Sequence, residues 1–385
     1  MVVVQGAITV VLFLAILVGL VLIHEVGHFL VARLARIRVH EFGIGFPPRA
    51  RVLRRRGDTL YTLNWLPIGG FVRLEGEDGD STDPRSFAVQ PLATRLLVLV
   101  AGAAMNLLLA FAIFTAIGWF ASPYVGVRFW EIDPTSPAAA AGLQPGDAII
   151  SVNGQRYEIY GSQNVLSVIR TTAERTVTLG ILRDGSKLEV PVTLRPPEQR
   201  DETHGALGIS GGQRRFEEAF FGEYTGRPLG DAIALGAEQT VRAFGLILGG
   251  LGQLVSSVAT NPTSAPPVSG PVGIATMVGQ VFWQAGPVMT LYLAAILSAN
   301  LALVNILPIP PLDGGRMLVI TLRAGLGAGS RLLGRHGVRV PGPSAETTLT
   351  AERLAYLVGF VFIFGFLAWI TWFDIARQFG GGGAP

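Results

Sequence analysis

The chain has 385 residues, 50% hydrophobic and only 15% charged, with a mean hydropathy of +0.47, a profile that excludes an ordinary soluble enzyme and a disordered chain. It contains no cysteine, which excludes a disulfide scaffold, a thiolate metal site and a thiol nucleophile, so any metal must be held by His, Asp or Glu. The net charge of +3 is small, and no nucleic-acid partner is expected.

Residues 7–30 form an apolar run of membrane length. No positive charge precedes it and no small-x-small cleavage site follows, so it is expected to persist as a span rather than be removed as a signal peptide. The run ends in HEVGH, with His24, Glu25 and His28. Ionisable groups are costly in a bilayer and mark function there. A four-residue spacing puts both imidazoles on one helix face, the geometry of two ligands for one zinc ion, with Glu25 beside them as proton acceptor. An arginine-rich stretch follows, from Arg33 to Arg56. Within it Glu41 is the rival carboxylate for the metal, with a solvated ion pair as its alternative role. Residues 58–76, DTLYTLNWLPIGGFVRLEG, show strand-like runs joined near Pro67 to Gly70. They predict a membrane-associated β-hairpin over about 57–76, dipping in from the inside. Its free edge, with Gly69 and Gly70, could take up an unwound substrate as an added strand; a purely structural hairpin would have the same pattern. A second span covers about 95–120.

The segment 124–211 has the pattern of a compact soluble module. YVGVRFWEI is strand-like, Ser136 and Pro137 open a short helix that Gly142 closes, and DAIISVNG is a strand ending in an Asn153-Gly154 turn. GSQNVLSVIRTT is helical, and RTVTLGILR and KLEVPVTLR form a hairpin about Asp184-Gly185. Residues 231–258 carry Asp231, Glu238 and Arg242 and are read as an amphipathic helix at the membrane surface. A third span, about 287–308, contains Asn300 and Asn305, and a fourth covers about 353–373. His40, His204 and His336 are read as loop or solvated histidines.

Arginines set the orientation. The clusters in 31–56 and in the loop 311–352 place those segments in the cytoplasm, with both termini and 121–286 outside. The first span then delivers His24 and His28 to the cytoplasmic end, and the third delivers Asp313 to the same end. Asp313 is therefore the candidate third ligand; a crossing at 231–258 would put it on the opposite side. Pro308, Pro310 and Pro311 break the helix before it, and such backbone is tolerated at membrane depth only around a cavity or inside protein. Asn305, close to the break, either joins helices by hydrogen bonding or holds substrate backbone.

HEVGH in the first span together with NILPIPPLDGG later, EFGIGFPP at 41–48, LPIGGFVRL at 66–74 and SGPVGIA at 269–275 resembles the site-2 protease family of intramembrane zinc metalloproteases, most closely its regulator-of-sigma-E protease branch. SPAAAAGLQPGDAIISVNG resembles a PDZ signature. The resemblance covers most of the chain. It implies zinc bound by His24, His28 and Asp313, one ion per chain, with Glu25 as catalytic base and Asn305 and Pro308 at the substrate. The best-known members of the branch carry two PDZ domains, and this chain has room for one.

The expected architecture is a polytopic α-helical membrane protein with four transmembrane helices, the β-hairpin and one extracytoplasmic α+β PDZ domain. Residues 1–120 form the first half of the core, 121–211 the PDZ domain, 212–286 an amphipathic helix and linker, and 287–385 the second half. The expected activity is regulated intramembrane proteolysis in a bacterial plasma membrane, with the active site near the cytoplasmic side. Zinc-activated water would cut an unwound span of a single-pass protein, an anti-sigma-like factor or a remnant signal peptide. The PDZ domain either binds a peptide or only excludes bulky substrates. A metal-ion carrier and an inactive PDZ scaffold are the other classes, disfavoured by polar groups clustered at one depth and by the intact HExxH set.

Overall fold

A computed structural model describes residues 2–77, 81–159, 163–172, 175–200, 205–210, 216–261, 266–335 and 345–379. His204 and His336 lie outside them. The helices are α1 (Val2–Leu34), α2 (Leu92–Phe120), α3 (Pro137–Ala140), α4 (Val165–Thr171), α5 (Leu229–Thr260), α6 (Pro271–Ile306), α7 (Asp313–Arg335) and α8 (Ala345–Phe379). The strands are β1 (Val39–Arg56), β2 (Thr59–Leu74), β3 (Ser122–Arg128), β4 (Glu131–Ile132), β5 (Ala148–Val152), β6 (Thr176–Arg183), β7 (Ser186–Thr193), β8 (Ile209–Ser210) and β9 (Glu217–Thr225). They divide into two compact units: Met1–Ile113 with Glu238–Gln280 and Leu293–Pro385, and Phe114–Ala237 with Val281–Tyr292.

In the first unit, long apolar helices carry the site. Among the described residues, five helical segments are long and apolar enough to cross a membrane: Val4–Leu34, Leu92–Phe120, Leu229–Thr260, Pro271–Ile306 and Leu354–Arg377. The sequence pattern had suggested four. The additional one is α5, the least apolar of the five; its charges all precede Ala243, which leaves an uncharged C-terminal half long enough to qualify. Residues 311–352, read as a loop, contain the 23-residue α7. The start expected at 287 for the third span falls on a kink within α6, where Gly286 is left-handed (φ 83°) ahead of Pro287. The helices are pinned to one another at defined levels. Ser298 Oγ in α6 donates to the Asn106 carbonyl of α2 at 2.7 Å, and the Gly273 amide at the start of α6 donates to Asp374 of α8 at 2.8 Å.

β1 and β2 pair antiparallel about a turn at Gly57, but both bend, so each contributes two segments. The inner half of β1 is flanked on one side by Leu60–Leu63 and on the other by Gly70–Leu74, while Arg49–Arg56 runs along the far side of Thr59–Asn64. This corrects the expected hairpin over 57–76: its two runs do not pair with each other but enclose residues 39–46. The arginines of β1 masked the strand. Its inner half is largely buried, with Val39 and Phe42 inside, and only from Phe46 onward is it exposed. Glu41 is buried in this sheet and accepts hydrogen bonds from Arg49 (2.8 Å) and Thr62 (2.9 Å). It is a structural ion pair, away from the histidines. His40 bonds to Glu75 at 2.8 Å, and the Glu75 carboxyl is held below its ordinary range by the Ser81 hydroxyl, then by His40 and Arg38.

The second unit is built on a five-stranded antiparallel sheet, order β7-β6-β5-β3-β9, with β4 pairing β8. Alternation along these strands points Ile149, Leu179, Ile181 and Val192 into one core, joined by Phe129 just past β3. Ser136 caps α3, accepting from the Ala139 amide at 3.3 Å with Pro137 at the first helical position. Asn164 and Ser167 form a reciprocal capping box on α4. Tight turns at Asn153-Gly154 and Asp184-Gly185 use the left-handed backbone that Asn, Asp and Gly tolerate best. The sheet extends past residue 211, where the module had been expected to end: β9 completes it along β3. A cavity of about 400 Å³ lies along α4, lined by Leu166, Ile169, Arg170, Leu207, Ile209 and Phe216.

Candidate metal centre

His24 and His28 sit one helical turn apart near the C-terminal end of α1, both buried. Asp313 begins α7. Between α6 and α7 the chain must leave one helix and start another within a few residues. Leu307 is extended (φ −60°, ψ 139°) ahead of Pro308, as a residue before proline prefers. The first turn of α7 then folds back against the end of α6: a methyl at position 314 would lie 2.2 Å from the carbonyl oxygens of both Ile306 and Leu307. Only glycine permits that approach, and the approach aims Asp313 at the histidines.

The three donor atoms form a nearly equilateral triangle. His24 Nε2 is 3.0 Å from Asp313 Oδ2, His28 Nε2 is 3.2 Å from the same oxygen, and the two Nε2 atoms are 3.1 Å apart. Tetrahedral zinc with bonds of about 2.0–2.1 Å needs donor–donor edges of about 3.3 Å. The residues therefore fit one face of a tetrahedral cation site, with the fourth corner left for a non-protein ligand. Room for the rings comes from α2: a methyl at Gly102 would lie 2.5 Å from His28 Nε2 and 2.6 Å from His24 Nε2. The back of each ring is also held by α2. His28 Nδ1 donates to the Val98 carbonyl at 2.8 Å, which fixes the proton on Nδ1 and leaves Nε2 with a free lone pair. His24 Nδ1 lies 3.3 Å from the side-chain amide of Asn106.

These groups open on a cavity of about 550 Å³ with mostly apolar walls, among them Phe46, Phe71, Leu99 and Phe360. Glu25 lines it, facing the backbone of Val72 in the edge segment Gly70–Leu74. Glu77 links that segment to α7. It accepts from the Leu74 amide at 3.3 Å and pairs with Arg316, one turn after Asp313.

A family profile, Peptidase family M50, matches residues 12–330. The chain belongs to this family, the site-2 proteases. This M50 peptidase is 30% identical over 397 residues to a protein of Mesorhizobium japonicum named as a putative zinc metalloprotease, covering 95% of this chain and 98% of the relative. It is 28% identical to the regulator of sigma-W protease RasP of Bacillus subtilis, over 96% and 99% of the two chains. A putative zinc metalloprotease of Clostridium acetobutylicum is 33% identical over 77% and 81%.

Of the residues singled out from the M50 peptidase's sequence, His24, His28 and Asp313 converge, and Glu25, Asn305 and Gly70 line the same cavity. Pro308 and Gly69 do not line it. Pro308 is exposed beyond the end of α6, and Gly69 is a left-handed residue (φ 82°) packed by Phe46. Gly102, Asn106 and Glu77 join the site without having stood out in the sequence, and Arg316, one of the orienting arginines, also pairs at it. A signal existed for two of them: AGAAMN is a run of small residues ending in a lone amide inside an apolar span, the pattern of close helix approach with a polar contact.

Proposed function

We propose that this peptidase is an intramembrane zinc endopeptidase, with His24, His28 and Asp313 as protein ligands and Glu25 as general base. The observation that carries the reading is the 3.0–3.2 Å triangle of donor atoms on the wall of a cavity that also exposes Glu25. Bound there, a zinc ion would supply a Lewis acid for a carbonyl oxygen and acidify water to a pKa of about 7. Glu25 would take the proton from the attacking water and return it to the leaving amine. Asn305 would hold substrate backbone beside the broken end of α6.

A membrane helix hides its carbonyls in internal hydrogen bonds and must unwind before attack. Gly70–Leu74 pairs with β1 along one edge only. We assign its other edge to the substrate, taken up as an added strand beside Glu25; the Arg316–Glu77 pair would keep that strand in step with Asp313.

The topology follows from parity. Two crossings between His28 and Asp313 return the chain to the same side, while three would not. The 3.0 Å contact of His24 with Asp313 supports α2 and α6 as those crossings, with α5 remaining at the membrane surface despite its apolarity. Four spans then put both termini and the second unit outside the cytoplasm of a bacterial plasma membrane. The second unit is read as a PDZ domain, with the cavity along α4 as its peptide groove and steric exclusion of bulky substrates as its other role. The likeness to a regulator of sigma-W protease favours single-span, anti-sigma-like substrates, with remnant signal peptides as a second group.

Glu25→Gln tests the catalytic assignment. It should abolish cleavage of a single-span reporter in proteoliposomes while zinc content stays at the wild-type level. Retained cleavage refutes Glu25 as the base.

A further inference from the structure

The two imidazoles are supported differently. His28 Nδ1 rests on a backbone carbonyl, which can only accept and so dictates one tautomer. His24 Nδ1 rests on Asn106, whose amide presents either a donor or an acceptor depending on its rotation about the last side-chain bond. Asn106 is fully buried. Its Nδ2 faces His24 Nδ1 at 3.3 Å, and its Oδ1 has no hydrogen-bond partner among the described residues. Its own backbone carbonyl accepts from Ser298 of α6, which ties α2 to α6 at this level. The amide's oxygen and nitrogen are interchangeable in shape and are told apart only by their partners.

We infer that Asn106 is a positioning residue for the metal ligand His24, turning its side-chain oxygen to accept the His24 Nδ1 proton. This rests on the ligand assignment proposed above. A neutral imidazole carries one N–H. If His24 Nε2 offers its lone pair to a cation beside His28 and Asp313, the proton sits on Nδ1 and needs an acceptor, which an amide nitrogen cannot be. The amide oxygen, brought to the same place by a half-turn, can. In the present orientation the oxygen is the atom without a partner, so the pairing with His24 decides which faces the ring. Turned the other way, the same amide serves the opposite tautomer, with His24 Nε2–H donating to Asp313. The chain thereby holds both protonation patterns of His24 without moving a helix.

The test is zinc affinity of the purified full-length chain in detergent, measured by competition with a chromophoric chelator. Losing a partner behind a histidine ligand typically costs 10–100-fold in affinity. Asn106→Leu, which removes the acceptor, should weaken zinc binding by about that factor. Asn106→Asp, which can only accept, should bind at least as tightly as wild type. Ser298→Ala, which loosens the same helix contact but leaves the amide, should bind within about twofold of wild type, well below the loss of a partner. Wild-type affinity in Asn106→Leu overturns the inference, and so does an equal loss in the Leu and Asp variants. If Asn106→Leu does not accumulate, Asn106→Ala carries the same expectation and the same refutation. His24→Ala separates the two levels: if it binds zinc as wild type does, the ligand assignment fails; if it loses zinc while Asn106→Leu does not, only the present inference fails.

Discussion

Gly102→Ala changes no donor atom, yet it should dismantle the proposed metal centre. The added methyl would lie 2.5 Å from His28 Nε2 and 2.6 Å from His24 Nε2. Uncompressed contacts need about 3.5 Å, so both rings must retreat by roughly 0.9 Å, several times the ~0.2 Å tolerance of a metal–ligand distance. Two opposing effects act on the fold. Alanine is better than glycine inside a helix by about 1 kcal/mol, and overpacking costs about 1–3 kcal/mol. The protein should therefore accumulate, with a net destabilisation of roughly 0–2 kcal/mol and zinc affinity lowered by at least the 10–100-fold seen when a histidine ligand loses its support. The measurement is chelator competition alongside thermal melting in detergent. Gly19→Ala in α1 is the control, because its methyl meets nothing within 4 Å; it should keep zinc and melt slightly higher. Gly102→Ala binding zinc as tightly as wild type would refute this placement of the rings against α2.

The assignment of Gly70–Leu74 to substrate predicts that Val72→Pro, which deletes the one backbone donor that bonds Glu25 at this edge, lowers cleavage of a membrane-embedded reporter at least tenfold, an estimate from the loss of one hydrogen bond to a charged group, with zinc content intact; full activity would reject a role for that edge. In the second unit, the Asp133 carboxyl is held down at a pKa of about 2 by the Thr135 amide, then by Arg195 and the Thr135 hydroxyl. A carboxylate with a lowered folded pKa contributes stability above its unfolded pKa of about 3.9, lost as pH falls through the folded value. Asp133→Asn should therefore melt below wild type at pH 6, with the gap closing between about pH 4 and pH 2. A gap that persists at pH 2 contradicts that account.

The parts legible in the sequence were those whose chemistry is local or topological. HEVGH needs only a helix to bring two rings together, and Asp313 could be paired with them by counting crossings. What escaped depended on tertiary contacts. The inner half of β1 is a buried strand written in the same stretch as eight arginines, and its partners Leu60–Leu63 and Gly70–Leu74 enclose it from both sides, which alternation within 58–76 could not reveal. β9 lies far in sequence from its neighbour β3. Gly102 and Asn106 stand in the sequence as a mark of close helix approach, but the rings they face appear only when α1 lies against α2. Composition and parity part at α5: its N-terminal charges read as a surface helix, while its C-terminal half is apolar enough to span.

Zinc content of the purified chain, measured by elemental analysis beside His24→Ala, His28→Ala and Asp313→Ala, bears most directly on the convergence of α1 and α7 at one cation. The wild type should hold one ion per chain, and each substitution, including the distant Asp313→Ala, should strip it. An Asp313→Ala variant that still carries a full equivalent of zinc would contradict the account.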